Sequence, residues 1–302
     1  MRILVFGAGV IGRAFAARLG QAGHDVTVLA RSRTATALRA HGIGVMVGDQ
    51  VRRVPVTVTE DATRGGPYDL ALVALRLDVL ESELVTIAAI PTPVVAFLQH
   101  LGDLGPRVAA LLGDRAVVAF PGLGGYLDPD GVLHHKVVGF GQPTTIDATA
   151  AHAAMVREVI DSARLPTTLE PDMRSWLATH TVFIAGIGAA ILACGGVQPL
   201  AQDRAALNRM ISAVRAGFRS LQRQGYRIRP APVGLLFLRA PRVVVRHYWQ
   251  RQLVGELGRV AMEPHALRTR GSEFRLICRQ ALDLLDDTGP RDPFRDLVAP
   301  FA

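Results

Sequence analysis

The chain's most informative chemistry lies at its start. Gly7-Ala8-Gly9-Val10-Ile11-Gly12 follows a short β-branched run, Arg2–Phe6, and leads into an amphipathic segment, Arg13–Gln21, closed by Gly23. GxGxxG alone is a common string, but between a strand and a helix it becomes an expectation of phosphate binding. In that reading Gly7 permits the tight turn, Gly9 lets the backbone approach a pyrophosphate, and Gly12 allows helix and strand to pack closely. The free N–H groups at the helix start, those of Val10 and Ile11 among them, then favour negative charge together with the helix dipole. Glycine turns also occur in βα units that bind nothing, so the next strand carries the decision. Asp25–Leu29 reads as that strand and runs into Ala30-Arg31-Ser32-Arg33. A carboxylate there accepts from the ribose 2′-hydroxyl of NAD, whereas Arg pairs with a 2′-phosphate. Arg31 and Arg33 therefore point to NADP(H), with Ser32 able to donate a further hydrogen bond. Either Arg taken singly reads as a solvated surface charge.

The elements needed to position such a site are legible in the first half. Strand-like segments occur at Val54–Thr59, Leu70–Leu75, Val94–Leu98 and Ala116–Phe120, separated by helical or loop segments, which implies a parallel, doubly wound sheet. Gly122–Gly131 is glycine-rich and leads to a last pair of strands around 132–140, and a helix over Ala148–Ala163 closes this half. After Pro166 the strand-like alternation disappears. Asp172 is a candidate N-cap, Trp176–Leu192 a long buried helix and Asp203–Gln224 an amphipathic one ending at Gly225. Arg229–Pro241 carries Pro230, Pro232 and Pro241 and reads as a loop or broken helix, and helices are expected over Val243–Met262 and 272–285. The expected fold is α/β: a Rossmann-type doubly wound parallel sheet over residues 1–166, followed by an all-helical domain over residues 167–302.

Bulk properties exclude other classes. With 302 residues, 49% hydrophobic and 20% charged, the chain can bury a substantial core and is neither disordered nor fibrous. The charge of +8 and pI of about 10.6 come almost wholly from dispersed Arg, Lys136 being the sole lysine. Codon bias in a GC-rich genome accounts for that skew, and no DNA- or RNA-binding motif supports a nucleic-acid partner. Cys194 and Cys278 lack CxxC spacing, which suits a reduced cytosolic protein with no metal site. The N-terminus enters a strand directly and carries no signal-peptide pattern. Val182–Val197 is apolar but glycine-rich and shorter than the roughly 20 residues that span a bilayer, so it reads as a buried helix of a cytoplasmic, membrane-free protein.

Across essentially its whole length the chain resembles the ketopantoate reductase family, through the N-terminal GxGxxG, the Arg after the second strand and the helical second half. The resemblance implies NADPH-linked reduction of a 2-keto acid. It sets Arg76, at the end of DLALVALR, where the family has a cofactor-side lysine. The family's QNG(M/V)G segment matches Gln99-His100-Leu101-Gly102, which gives Gln99 a cofactor role and sets His100 at the Asn beside nicotinamide and substrate. The family's W-x-K-L-x-x-N segment matches Arg174–His180, with Trp176 at the catalytic lysine and His180 at the Asn. Glu273 lies within about two residues of the family's late Glu. Trp176 and Glu273 are thus expected to line a substrate pocket, in a cleft between His100 and the helix bearing Trp176 and His180.

No lysine exists in the helical half, so ketopantoate is not the expected substrate. Another 2-keto acid, a ketone or an imine takes its place. Reduction still needs a proton donor for the forming alkoxide, and His180 or His100, titrating near neutral pH, fills that role. A His opening an apolar helix is equally often a hydrogen-bonded core residue. Two alternatives stand beside the reductase: a protein that binds NADP but has lost or replaced redox chemistry, and, more weakly, a partner or acidic-ligand surface at Arg246, His247, Tyr248 and Arg251. The expected partners are a small-molecule substrate and, compatibly with the family, a second copy in a homodimer.

Overall fold

The computed structural model describes residues 1–138, 142–268, 273–286 and 292–302. They divide into two compact units, Met1–Pro171 and Asp172–Ala302.

The first unit runs β1 (Arg2–Phe6), α1 (Val10–Gln21), β2 (Asp25–Leu29), α2 (Ser32–His41), β3 (Ile43–Val47), β4 (Gln50–Val54), β5 (Thr57–Thr59), β6 (Leu70–Val73), α3 (Leu77–Ala88), β7 (Val95–Leu98), α4 (Gly105–Leu112), β8 (Ala116–Phe120), β9 (Leu123–Leu127), β10 (Leu133–Val137), β11 (Thr144–Asp147), α5 (Ala153–Ser162) and β12 (Thr167–Glu170). Among the described residues the larger sheet is ordered β5-β2-β1-β6-β7-β8-β11-β12, parallel throughout except for the β8–β11 pair. β1 sits inside this sheet with both faces covered, which is why Ile3, Leu4, Val5 and Phe6 form an unbroken apolar run. Their alternation splits two cores. Ile3 and Val5 join Phe15, Leu19 and Val28 on one face, while Leu4 and Phe6 join Val73, Leu84 and Phe97 on the other. A smaller sheet, β4-β3-β10-β9, packs beside α1.

Several expected boundaries move. Val54–Thr59 is two strands in two sheets, because Pro55 interrupts the ladder between them. Half of Gly122–Gly131 is strand, since Leu123–Leu127 pairs antiparallel with β10. The helix anticipated from Ala148 begins at Ala153, and Thr144–Asp147 just before it is β11. Thr167–Glu170 pairs with β11 as the edge strand, so the first unit ends at Pro171 instead of Pro166. These short threonine-rich strands lack an apolar period that would betray them. The expected strand end at Phe140 and helix start at Ser272 lie outside the described residues.

The second unit contains α6 (Met173–Cys194), α7 (Val197–Gln202), α8 (Arg204–Arg223), α9 (Ala231–Gly234), α10 (Arg242–Val254), α11 (Glu263–Arg268), α12 (Glu273–Asp283) and α13 (Pro293–Val298). Asp172 caps α6 by accepting from the Ser175 amide at 3.1 Å. Asp203 does the same for α8, accepting from the amides of Ala205 and Ala206 at 2.8 and 2.9 Å. α6 is longer than the apolar run suggested. At 22 residues it is long and apolar enough to cross a membrane by length and composition, yet 67% of its most apolar window is buried within the chain. Its glycines explain that burial. A Cβ on Gly186 would lie 2.8 Å from Val214, and one on Gly217 of α8 would lie 2.5 Å from Val182, so the two helices meet at a distance only hydrogen allows.

Candidate functional site

β1 lies between β2 and β6, where the strand order reverses, and loops leaving the C-terminal ends of strands at such a point form a crevice. The Gly7–Gly12 turn leaves β1 there. Gly7 has φ +118°, and a Cβ on it would stand 2.5 Å from the Ala74 carbonyl oxygen, while one on Gly12 would stand 1.8 Å from the Gly7 carbonyl oxygen. Those two glycines are required by the protein's own packing. Gly9 differs: nothing lies within 4 Å of where its Cβ would be. Its side of the turn is open space, facing the first turn of α1, which has neither a side-chain cap nor an acidic residue.

Arg13, which sequence reasoning passed over, fixes this turn. Its side chain is buried, its Nε donates to the Ala8 carbonyl at 2.8 Å and its Nη1 to the Gly131 carbonyl at 2.8 Å. Burial lowers its pKa. Its sequence sign was a charged residue among the buried, largely apolar positions of α1.

Beside the turn a pocket of about 240 Å³ is lined by Gly7, Ala30, Arg31, Thr34, Val79 and Glu83, among others. It is smaller than the roughly 300–1,000 Å³ typical of pockets that enclose a whole drug-sized ligand, and so suits one end of an extended ligand. Arg31 lines it together with Glu83. Its Nη1 and Nη2 donate to Glu83 Oε1 and Oε2 at 2.6 and 3.0 Å, and this bond is the first cause that raises its pKa. Val79 and Glu83 stand one turn apart on α3, so one helix face supplies both. Nothing local in the sequence links Glu83 to Arg31. Ser32 adopts φ +53°, a left-handed conformation costly for a residue with a Cβ, which marks the corner after β2 as strained. Arg33 is exposed.

The residues carried over by resemblance are placed as follows. Arg76 precedes α3 and binds Asp78 with both ends of its fork, at 3.1 and 3.0 Å. Gln99 is buried after β7. Its Oε1 accepts from the Leu75 amide at 2.6 Å, and its Nε2 is buried without a hydrogen-bond partner among the described residues. His100 packs its ring 4.9 Å from that of Phe120. In the helical unit, His180 is buried and stacks on Trp176, with centroids 4.9 Å apart and planes at 9°. Stacking occupies ring faces and leaves the imidazole nitrogens, in the ring plane, to hydrogen-bond. Glu273 opens α12, whose Phe274 meets α6 at Gly188, about 12 Å of helical rise beyond His180. Glu273 therefore stands at a different level from the Trp176–His180 pair.

A phosphate-bearing dinucleotide fits these observations: amides uncapped at the start of α1, open space at Gly9, and an orphaned buried amide on Gln99. Among the described residues, no group of three His, Cys, Asp or Glu could hold a metal ion.

Comparison with known proteins bears on the same half of the chain. The family model "Ketopantoate reductase PanE/ApbA" matches residues 3–148. A 2-dehydropantoate 2-reductase of Mesorhizobium japonicum is 33% identical over 156 residues, which is 45% of this chain and only 41% of that relative's length. Two solved structures share the fold over the whole chain. A 2-dehydropantoate 2-reductase from Geobacter metallireducens superposes with a TM-score of 0.77 at 19% identity, covering 100% of this chain and 98% of the other. A D-mandelate dehydrogenase solved with NADH and anilino(oxo)acetate gives 0.73 at 13% identity, covering 100% and 96%.

Proposed function

We propose, from the match of residues 3–148 to the ketopantoate reductase PanE/ApbA family model, an NADP(H)-linked oxidoreductase that reduces a carbonyl or imine on a small substrate other than ketopantoate. One observation carries the reading: the open face at Gly9 lies against an uncapped helix start, with a pocket lined by Arg31 beside it. The backbone amides of Val10, Ile11 and Gly12 would hold the pyrophosphate, and Arg31 and Arg33 are the guanidinium groups within a turn of β2 that would take a 2′-phosphate. The Gln99 Nε2 supplies a further buried donor. A reduced nicotinamide dinucleotide, when bound, supplies a hydride.

The remaining requirement is a proton for the oxygen or nitrogen that becomes negative as the hydride arrives. His180 is the first candidate to give it. Its ring is oriented by Trp176, and histidine carries a transferable proton near neutral pH. His100 is the second candidate.

The test is nicotinamide oxidation by the full chain over a panel of 2-keto acids, ketones and imines, with His180→Ala and His180→Gln as variants. Turnover on at least one substrate is expected. Each variant should lower kcat by about 100-fold or more while leaving dinucleotide affinity within threefold. Variants as active as the parent would remove His180 from the mechanism.

A second reading is favoured by one fact: residues 172–302 contain no lysine, the residue the family uses as its proton donor. A nucleotide-binding protein without hydride transfer would bind the dinucleotide and turn over nothing on the panel.

A further inference from the structure

Arg31 is the guanidinium best placed for a 2′-phosphate, yet both of its terminal nitrogens are already engaged by one carboxylate, in the geometry a phosphate would itself use. We propose that Glu83 is a specificity-determining residue: an internal competitor for Arg31 that weakens selection of 2′-phosphorylated over unphosphorylated dinucleotide. This rests on the reading of the glycine turn and its pocket as a dinucleotide site, and it deepens that reading by naming what sets the choice of cofactor.

Three observations support it. Arg31 and Glu83 line the same pocket at the end of β2, so their pairing is part of the ligand-facing wall. The partners are unequally placed: the Glu83 side chain is 13% exposed and that of Arg31 55%. The carboxylate is seated on α3 beside Val79, and the guanidinium is the half of the pair that can turn toward an incoming anion. A phosphate that captured Arg31 would leave Glu83 without its partner and set two like charges close together, both of which oppose binding.

An unphosphorylated ribose meets no such penalty. The ion pair is open to solvent on one side, so it biases the choice without forbidding a phosphate. Arg33, exposed on the first turn of α2, supplies a second guanidinium that keeps phosphate binding available.

The experiment titrates the full-length protein by calorimetry with adenosine 2′,5′-bisphosphate and with 5′-AMP, probes that differ only in the 2′-phosphate and need no turnover. Glu83→Gln keeps the shape and removes the charge, and Glu83→Ala removes the side chain's polar end. The affinity ratio of bisphosphate to AMP is expected to rise at least tenfold in both variants. AMP affinity should stay within about threefold of the parent, which also shows that the pocket is intact. An unchanged or falling ratio would overturn the proposal, Glu83 then being a support that presents Arg31 to the phosphate. If the parent binds neither probe, the dinucleotide reading itself fails and the proposal with it, whereas binding of both with an unmoved ratio sinks the proposal alone.

Discussion

Replacing Gly9 by Ala separates what the fold needs from what a ligand needs. Gly9 has φ −78° and ψ −166°, an extended conformation open to any L-residue, and its new methyl would meet nothing within 4 Å. Two small stability terms oppose each other. Restricting the unfolded chain stabilises by about 0.4–1 kcal/mol, while alanine is a poorer N-cap than glycine by about 0.5–1 kcal/mol. The net is within about 0.5 kcal/mol of zero, or about 1–2 °C in Tm for a unit of this size. Binding has no such cancellation, because the methyl fills the space through which a pyrophosphate would approach the amides of α1. A loss of at least about tenfold in dinucleotide affinity, equivalent to about 1.4 kcal/mol, is expected. Gly12→Ala is the contrasting control. Its Cβ would lie 1.8 Å from a backbone oxygen, so overpacking of about 1–3 kcal/mol, offset by at most about 1 kcal/mol of helix propensity, lowers stability itself. Thermal melts and calorimetric titration of the three proteins decide the matter. A Gly9→Ala protein that binds dinucleotide as well as the parent would refute the phosphate role of the turn, and one that melts several degrees lower would refute the open-space argument.

Two further outcomes follow from the same unit. Arg13→Ala removes two charge-assisted hydrogen bonds from a buried guanidinium and should cost about 2–4 kcal/mol in urea unfolding, and a loss under about 0.5 kcal/mol would show that the Ala8 and Gly131 carbonyls find other donors. His135 has a pKa lowered by burial and then by Arg18, so the folded unit favours its neutral ring. That stability is fully present above the unfolded histidine range and is lost as pH falls below about 6.5, so the urea midpoint should decline between pH 7 and 5 and decline less in His135→Leu. Equal slopes in parent and variant would exclude His135 as a source.

Much of the framework is written locally. Strand, glycine turn and helix are encoded within a few residues of one another, and so are the caps Asp172 and Asp203, because φ preferences, periodicity and capping act over single turns of chain. Arg31 at the end of β2 was legible for the same reason. Glu83 was not, since its meeting with Arg31 depends on β6 lying next to β1 and on the register of α3 over that part of the sheet. β11 and β12 escaped notice because their stability comes from pairing with each other and with β8, and not from an apolar pattern of their own.

The sequence by itself determined which backbone can turn, cap and approach closely: Gly7 and Gly9 before α1, Gly12 in its first turn, and the small residues that make α6 a central helix. Only the tertiary structure decided what those guanidinium groups meet. Charge pairing is a matter of a few ångströms between segments far apart in the chain, and Arg31 faces a carboxylate, Arg13 two carbonyls and Arg76 its own helix's Asp78 because the packed sheet brings those atoms within reach.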